Sequence, residues 1–338
     1  MVPADVTNWP SELGMRRRDF IGIMVVGATG WPLTIRAQQR LPVVGILSAT
    51  APGTDGVSMF KRSLNEMGYA DGVNIKLEAR WASGQYDRLP GLAAELVERN
   101  VSIIFAEGNI NAALAAKGAT AKIPIVFANG GDPIRFGLVA SLNRPEANVT
   151  GVSFFLSTLG GKRLELMREV KPTIALVGFL VNHENTVTEQ DVADMENAAR
   201  SVGLRLKVVK AANADDFNSA FASLSADHVD AVLINNDTFF NSRRAEIVAL
   251  AERYGIPASY PAKSFVYAGG LLSYGGDVVE MYRQAGIYAA RILKGAKPGD
   301  LPVLQPTKFE FAINLKAAKT LGLTMPPALF ARADEVIE

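Results

Sequence analysis

Two rhythms of apolar and polar residues take turns along this chain. Residues 43–47 form a short apolar run rich in β-branched side chains and read as a strand; Val57, Phe60, Leu64 and Met67 then recur at helical spacing, and 73–81 alternates like a more exposed strand. Leu89, Leu92, Ala93, Leu96 and Val97 fall on i, i+3, i+4, i+7 and i+8, the stripe of a helix that faces a sheet. Residues 101–106 supply the buried strand this stripe serves, 111–121 a helix, 123–127 another buried strand, and 149–155 a fifth. Five strands alternating with helices require a parallel, doubly wound sheet with right-handed crossovers.

A second series of the same kind comes next. Residues 161–170 predict a helix, 174–181 a buried strand, Val192, Met195, Ala199 and Val202 a helix stripe, and 204–210 a strand. Residues 230–235, the stripe Ile247, Leu250, Ala251 and Tyr254, and the short run 256–260 repeat the unit. The expected fold class is therefore α/β, with two doubly wound parallel-sheet lobes; no convincing sequence repeat relates the halves. Past residue 269 the alternation breaks. GGLLSYGGD (269–277) carries glycines that mark close backbone approach or a bend, a helix with Met281, Ala285, Tyr288 and Ile292 on one face succeeds it, and Pro298, Pro302 and Pro306 stiffen a linker. Residues 308–314 alternate as a strand, and the tail closes with a short helix.

One stretch organises the rest. IPIVFANGGDP (123–133) is a buried strand that stops abruptly at Asn129, Gly130, Gly131, Asp132 and Pro133. Turn formers, an amide and a carboxylate just past a strand's carboxyl end form a ligand rim in an open α/β sheet. The same residues also suit a plain strand-to-helix turn in which Asp132 caps the next turn of chain.

Composition narrows the chemistry. At 338 residues two domains are expected, and 35 basic against 34 acidic residues leave no excess of Lys and Arg for a nucleic-acid surface or a polybasic membrane patch. The absence of cysteine removes thiol nucleophiles, disulfides, thiolate metal sites and iron–sulfur clusters. Of the two histidines, His228 suits a helix-to-strand turn and His183 lies just past a predicted strand, and neither has a partner at metal or triad spacing. No cofactor or metal is expected. At the N-terminus Arg16, Arg17, Arg18 and Phe20 precede a mild apolar run, which is the layout of a twin-arginine-like export signal over 1–37 with Ala37 the last residue removed. No cysteine comes after that run, so a lipid anchor is excluded, and a soluble periplasmic protein is expected.

IPIVFANGGDP with GLVASLNRPEANVTGVS behind it, then GGLLSYGGD, RILKGAKPGDLPVLQPTKFEFAINLKAAKTLGL and the terminal ARADEVIE, resemble the ABC transporter substrate-binding proteins. The resemblance runs from about Val43 to Glu338. It implies a class I type periplasmic binding protein: two lobes joined by three crossovers, ligand in the cleft between them. Residues 41–153 plus about 275–305 would form the N-terminal lobe, and 154–274 plus about 306–338 the C-terminal lobe. The implied partners are a small-molecule ligand and an ABC permease in the inner membrane, with the protein acting as a monomer. Some relatives are associated with amino acids, including aromatic ones. Two loops depart from the family pattern: Glu107, Gly108, Asn109, Ile110 and Asn111 stand where a Gly-Thr-Pro-Ala-type loop is common, and Asn182-His183 stands where Asn-Pro is usual.

In such a cleft the lining residues lie just beyond strand carboxyl ends. In the first lobe these are Ser48, Glu107, Gly108, Asn109, Asn129, Gly131 and Asp132; in the second, Asn182, His183 and Asp237, with Tyr267, Ser273 and Tyr274 near a crossover. Glu107, Asp132 and Asp237 can pair with an ammonium group, and backbone N–H groups at Gly108 or Gly131 can receive a carboxylate. Glu107 is the first choice for specificity, because an unpaired buried carboxylate is costly as mere packing. Asp237 equally suits a helix cap. An enzyme on the same fold is disfavoured by the absence of a phosphate loop, a dinucleotide fingerprint and a nucleophile–base pair. A ligand-sensing module that reports to a membrane receptor needs the same cleft and stays open as an alternative.

Overall fold

The apolar runs become strands, as their β-branched content requires. The computed structural model of the protein describes residues 41–338 apart from 54, 146 and 155–158, so the export signal expected over 1–37 lies outside the described residues. Among these residues the strands form two sheets. The first contains β1 (Val43–Ser48), β2 (Lys76–Trp81), β3 (Ile103–Gly108), β4 (Ile125–Asn129) and β5 (Val149–Ser153) in the order β2-β1-β3-β4-β5, all parallel. The second contains β6 (Leu176–Val181), β7 (Arg205–Lys210), β8 (Ala231–Ile234), β9 (Ala258–Tyr260), β10 (Leu272–Gly276), β11 (Phe309–Asn314) and β12 (Glu335–Ile337) in the order β12-β11-β10-β9-β8-β6-β7. Two doubly wound α/β lobes are the outcome, as the alternation required. The exception to parallel pairing is β10 with β11, because the chain leaves the second sheet at the end of β10 and re-enters it beside that end.

Helices cover both faces of each sheet. On the first, α1 (Asp55–Glu66) packs on one side and α2 (Leu89–Glu98) and α3 (Ile110–Ala119) on the other. On the second, α4 (Gly160–Val170) and α5 (Thr188–Ser201) take one side, and α6 (Ala214–Ala226) with α8 (Arg244–Arg253) takes the other, α7 (Thr238–Ser242) being a single turn before α8. α9 (Lys263–Tyr267) joins the latter side. α10 (Val278–Leu293) returns to the first lobe, where Met281, Tyr282, Ala285 and Ala289 pack with Phe60 and Phe105. The rings of Phe60 and Phe105 stack at 3.8 Å, and each such fully buried side chain contributes roughly 1.5–3 kcal/mol. Close approach of α10 to α1 depends on Gly286, where a Cβ would lie 2.5 Å from that of Ser63.

The chain passes between the sheets three times: between β5 and α4, between β10 and α10, and after Leu304. Val303 and Leu304 are stitched to the first lobe, their N–H groups donating to Leu142 O at 2.7 Å and Gly151 O at 3.0 Å. The C-terminal segment adds α11 (Leu315–Thr320), α12 (Pro327–Phe330) and β12, which pairs Ala312 with Glu335. Where the sequence predicts one short helix, the tail thus builds two helices and an edge strand, because β11 offers it an open edge. No helix among the described residues is long and apolar enough to cross a membrane.

Candidate functional site

The carboxyl ends of the first lobe's central strands carry a buried polar cluster. Ser48 at the end of β1 is in register with Glu107 on β3, and Gly108 with Asn129 on β4. Glu107 is only 1 % exposed. Ser48 Oγ donates to its Oε2 at 2.5 Å, and Tyr282 Oη, from α10, donates to its Oε1 at 3.1 Å. Burial, and next the Glu107 charge, push the Tyr282 phenol well above its ordinary range, so it remains a donor.

The second lobe answers with Asp237, 2 % exposed, just past β8. Its Oδ1 accepts from the N–H groups of Phe239 and Phe240 at 2.9 and 3.2 Å, the cap of α7. Asn182 Nδ2 donates to the same oxygen at 3.2 Å, and Asn185 Nδ2 to Oδ2 at 2.9 Å. The fifth donor crosses the cleft: Tyr86 Oη, from a 3-10 turn of the first lobe, reaches Oδ2 at 3.0 Å. Burial still raises the Asp237 carboxyl above its ordinary value, and burial also raises that of Asp191 to about 6, although Asn235 Nδ2 donates to Asp191 at 2.9 Å.

Other contacts bring the lobes together. Gly108 has φ +100°, and a Cβ there would lie 2.7 Å from Thr238 Cγ2 of the opposite lobe, so both the backbone and the approach call for glycine. At the surface Arg135 hydrogen-bonds Gln190 and lies 3.7 Å from Asp194, and Arg244 lies 3.7 Å from Asp55.

Two cavities lie between the lobes. The larger, about 680 Å³, has Glu107 and Tyr282 beside Phe154 on one side, Thr238, Phe239 and Asn241 on the other, and Arg243, Arg244 and Lys263 along its rim. The smaller, about 20 Å³, is polar, with Asn109 and Gly131 facing Asp191, Asp237 and Thr238. Gly108 and Thr238 border both cavities, which makes them neighbours. Among the described residues Asn241 Oδ1, at the larger cavity, is buried without a hydrogen-bond partner, and Asn109 and Thr238 lie beside the Tyr86 hydroxyl. A buried acceptor without a donor beside a cavity suits a polar solute. Among the described residues no group of three or more His, Asp or Glu side chains is arranged to hold a metal.

The residues expected at the cleft fall into three groups. Glu107 and Gly108 line the large cavity with Tyr267 at its lip, and Asn109, Gly131 and Asp237 line the small one. Ser48, Asn129 and Asn182 sit one layer behind, Ser48 holding Glu107, Asn129 accepting from Gly131 N at 3.1 Å, and Asn182 holding Asp237. Four residues are not brought to either cavity. Asp132 caps the N–H groups of Ile134 and Arg135, the turn reading of that loop; His183 is exposed against Glu184; Ser273 is enclosed in the sheet; and Tyr274 stacks on Phe309. Sequence reasoning misses Tyr86, Asn185, Asp191, Thr238, Asn241, Arg243 and Tyr282. Of these, Thr238 alone carries a local signal, as the residue after a capping Asp.

Comparison with known proteins agrees with this architecture. The family model for ABC transporter substrate binding proteins matches residues 45–337. A tyrosine-binding protein of Clostridioides difficile (strain R20291) is 28 % identical over 279 residues, covering 82 % of this chain and 80 % of that one. The structure of an ABC domain in complex with L-Trp from Streptococcus pneumoniae superposes with a TM-score of 0.78 at 24 % identity, over 88 % of this chain and 100 % of that one. A ligand-free, open substrate binding protein with adhesive properties from Clostridium difficile gives a TM-score of 0.62 at 25 % identity, over 88 % and 99 %. The fold is that of class I periplasmic binding proteins, and the relatives are binding proteins, not enzymes. With nearly all of its described length matched, the chain belongs to the ABC transporter substrate-binding protein family.

Proposed function

We propose that this protein captures an amino acid, or an aromatic amino-acid-like compound, between its lobes and delivers it as a monomer to the permease of an ABC importer. The observation that carries the reading is Glu107: a buried carboxylate, accepting from the Ser48 and Tyr282 hydroxyls among its partners, at the wall of a cavity that both lobes enclose. A carboxylate so placed suits an ammonium group, and charge-assisted hydrogen bonds are the strong ones. Phe154, Phe239 and Met59 offer apolar wall to a side chain, and Thr238 on the opposite wall offers a hydroxyl to the solute's carbonyl or carboxylate oxygen. The tyrosine and L-Trp named for two relatives are solutes of this class.

Binding would work by closure. Residues 41–153 with about 275–305, and 154–274 with about 306–338, act as two bodies about the three crossings; solute docks on one, and the contacts of the other form only when the cleft shuts. A micromolar solute supplies about 8 kcal/mol net, enough to hold the closed form that a permease recognises. Native mass spectrometry of the mature protein, before and after denaturation and refolding, with thermal-shift screening against amino acids and small aromatic acids, tests the reading. A co-purified small mass or a raised midpoint with an aromatic amino acid is expected; no mass and no shift across the panel would sink the amino-acid assignment. The reading places the mature chain in the periplasm. Lysine at Arg16 and Arg17 together should then trap precursor in the cytoplasm, whereas normal export would point to the general secretion route.

A further inference from the structure

Tyr282 stands where the packing asks for a ring but not for a phenol. It lies one turn into α10, 5 % exposed, with Phe154 and Phe105 turned edgewise to it at 5.4 and 6.5 Å between ring centroids. Gly56 of α1 leaves room for the end of the ring, since a Cβ there would lie 2.4 Å from Tyr282 Cζ. Phenylalanine would suit all three neighbours. The hydroxyl is an addition that the core does not need, at a depth where a polar group costs free energy unless it is bonded. Its hydrogen-bond partner among the described residues is Glu107 Oε1, at 3.1 Å.

Glu107 has the complementary difficulty. At 1 % exposure burial favours the neutral acid, and a neutral acid offers an ammonium group no charge to pair with. Hydrogen bonds donated to the carboxylate oppose that tendency. Ser48 donates to Oε2, but its hydroxyl also accepts from Thr50 N at 3.1 Å and lies 2.9 Å from Thr50 Oγ1, so it serves a turn as well. Tyr282 brings a second donor from a helix 175 positions further along the chain. Burial, and next the Glu107 charge, hold the proton on the phenol, which keeps it a donor. The other charged groups around this cavity are Asp55 on α1, which also acts on Tyr282, and Arg243, Arg244, Lys263 and Glu310 of the opposite lobe.

Resting on the reading above, in which Glu107 receives the solute's amine, we propose that Tyr282 is a positioning residue whose hydroxyl keeps Glu107 ionised in the solute-free protein, so that the site carries its charge before the solute arrives. The bond is present with and without solute, so at alkaline pH it cancels from the affinity. Its worth appears on the acid side, where a proton competes with the solute for Glu107. A hydrogen bond to a charged group contributes about tenfold or more in that competition, which is about one pH unit. Losing the donor disfavours the carboxylate, so the shift is upward.

Glutamate carboxyl-carbon NMR of the mature, solute-free protein and of Tyr282→Phe tests this, with the Glu107 resonance identified by its loss in Glu107→Gln. The Glu107 midpoint should rise by about one pH unit in Tyr282→Phe. An unmoved midpoint overturns the proposal, whether or not an amino acid binds. Isothermal titration with L-tyrosine and L-tryptophan across pH reads the consequence. The variant should bind within about threefold of the unaltered protein above about pH 8, and about tenfold more weakly on the acid limb. The same loss at every pH overturns the positioning role, since a residue that merely packs, or touches solute directly, gives no such shift. The ring is retained, and the ligand-free melting temperature of Tyr282→Phe reports that the fold is intact. A risen midpoint with no binding of either amino acid leaves the hold on Glu107 standing and sinks the amino-acid reading instead.

Discussion

Each lobe sets a buried carboxylate near a strand's carboxyl end, Glu107 at the end of β3 and Asp237 just past β8, and the two are built for different work. Asp237 accepts from two backbone N–H groups, two side-chain amides and a phenol, all supplied by the protein. It caps a helix, ties three loops and receives the other lobe, while facing only a water-sized cavity. Glu107 is held by hydroxyls that rotate to suit and stands at the wall of the large cavity. Burial alone does not tell a binding carboxylate from a scaffolding one; the donors around it and the space in front of it do.

That contrast breaks most visibly through stability. Asp237→Ala leaves buried donors from both lobes unpaired and removes a cap, and the expected loss is about 3 kcal/mol or more, read as a fall of several degrees in the ligand-free melting temperature. Glu107→Gln keeps shape and acceptor but removes charge. It should cost about a hundredfold in solute affinity, about 2.7 kcal/mol, with a much smaller change in ligand-free melting temperature. If the two variants exchange these signatures, the roles assigned to the two carboxylates are reversed.

Much of this fold is legible in the sequence, and the reason is periodicity. The first lobe's strands and helices fall within a few residues of their predicted places because apolar runs and i, i+3, i+4 stripes survive any tertiary context. The helix Ala214–Ala226 escapes that reading although Phe217, Ala220, Phe221 and Leu224 keep the spacing, because serine and alanine blur its polar face; the capping box of Asn213 with Asp216 is the clearer sign. β12 has three residues and exists only because β11 has an edge to fill. The cleft is legible as strand ends, which is how Glu107, Gly108, Asn109 and Asp237 come to notice. Tyr86 and Tyr282 do not, for they stand 151 and 175 positions from the carboxylates they serve, in a loop and on a helix with no motif of their own.

Tyr86→Phe sharpens the comparison further, since it touches Asp237 from the opposite lobe and lines neither cavity. The hydroxyl donates to a buried carboxylate across the cleft, and losing it weakens the closed form while leaving Glu107 and its hydroxyl donors untouched. A hydrogen bond to a charged group is worth about 1.5 kcal/mol or somewhat more, so affinity should fall about tenfold. Small-angle scattering at saturating solute should still show closure, at a higher solute concentration. A loss of affinity with no change in the concentration needed for closure would mean that Tyr86 acts on the solute directly.

The smallest effect is expected at the surface, where the lobes are also joined. Arg135 lies 3.7 Å from Asp194, but the two side chains are 50 % and 46 % exposed, so water and salt screen the pair and both long side chains lose freedom in making it. Arg135→Gln removes that charge while retaining a polar side chain able to reach Gln190. Affinity should change by no more than about twofold, which is the few tenths of a kcal/mol that exposed pairs contribute. Whatever difference there is should disappear as ionic strength rises, since the Debye length shrinks to about 3 Å at 1 M. Tyr86→Phe should keep its tenfold effect under the same salt, because its hydrogen bond is enclosed. A large, salt-insensitive loss at Arg135 would reverse this ranking: the lobes would then be held shut from the rim, and the buried meeting of Tyr86 with Asp237 would be a consequence of closure and not its cause.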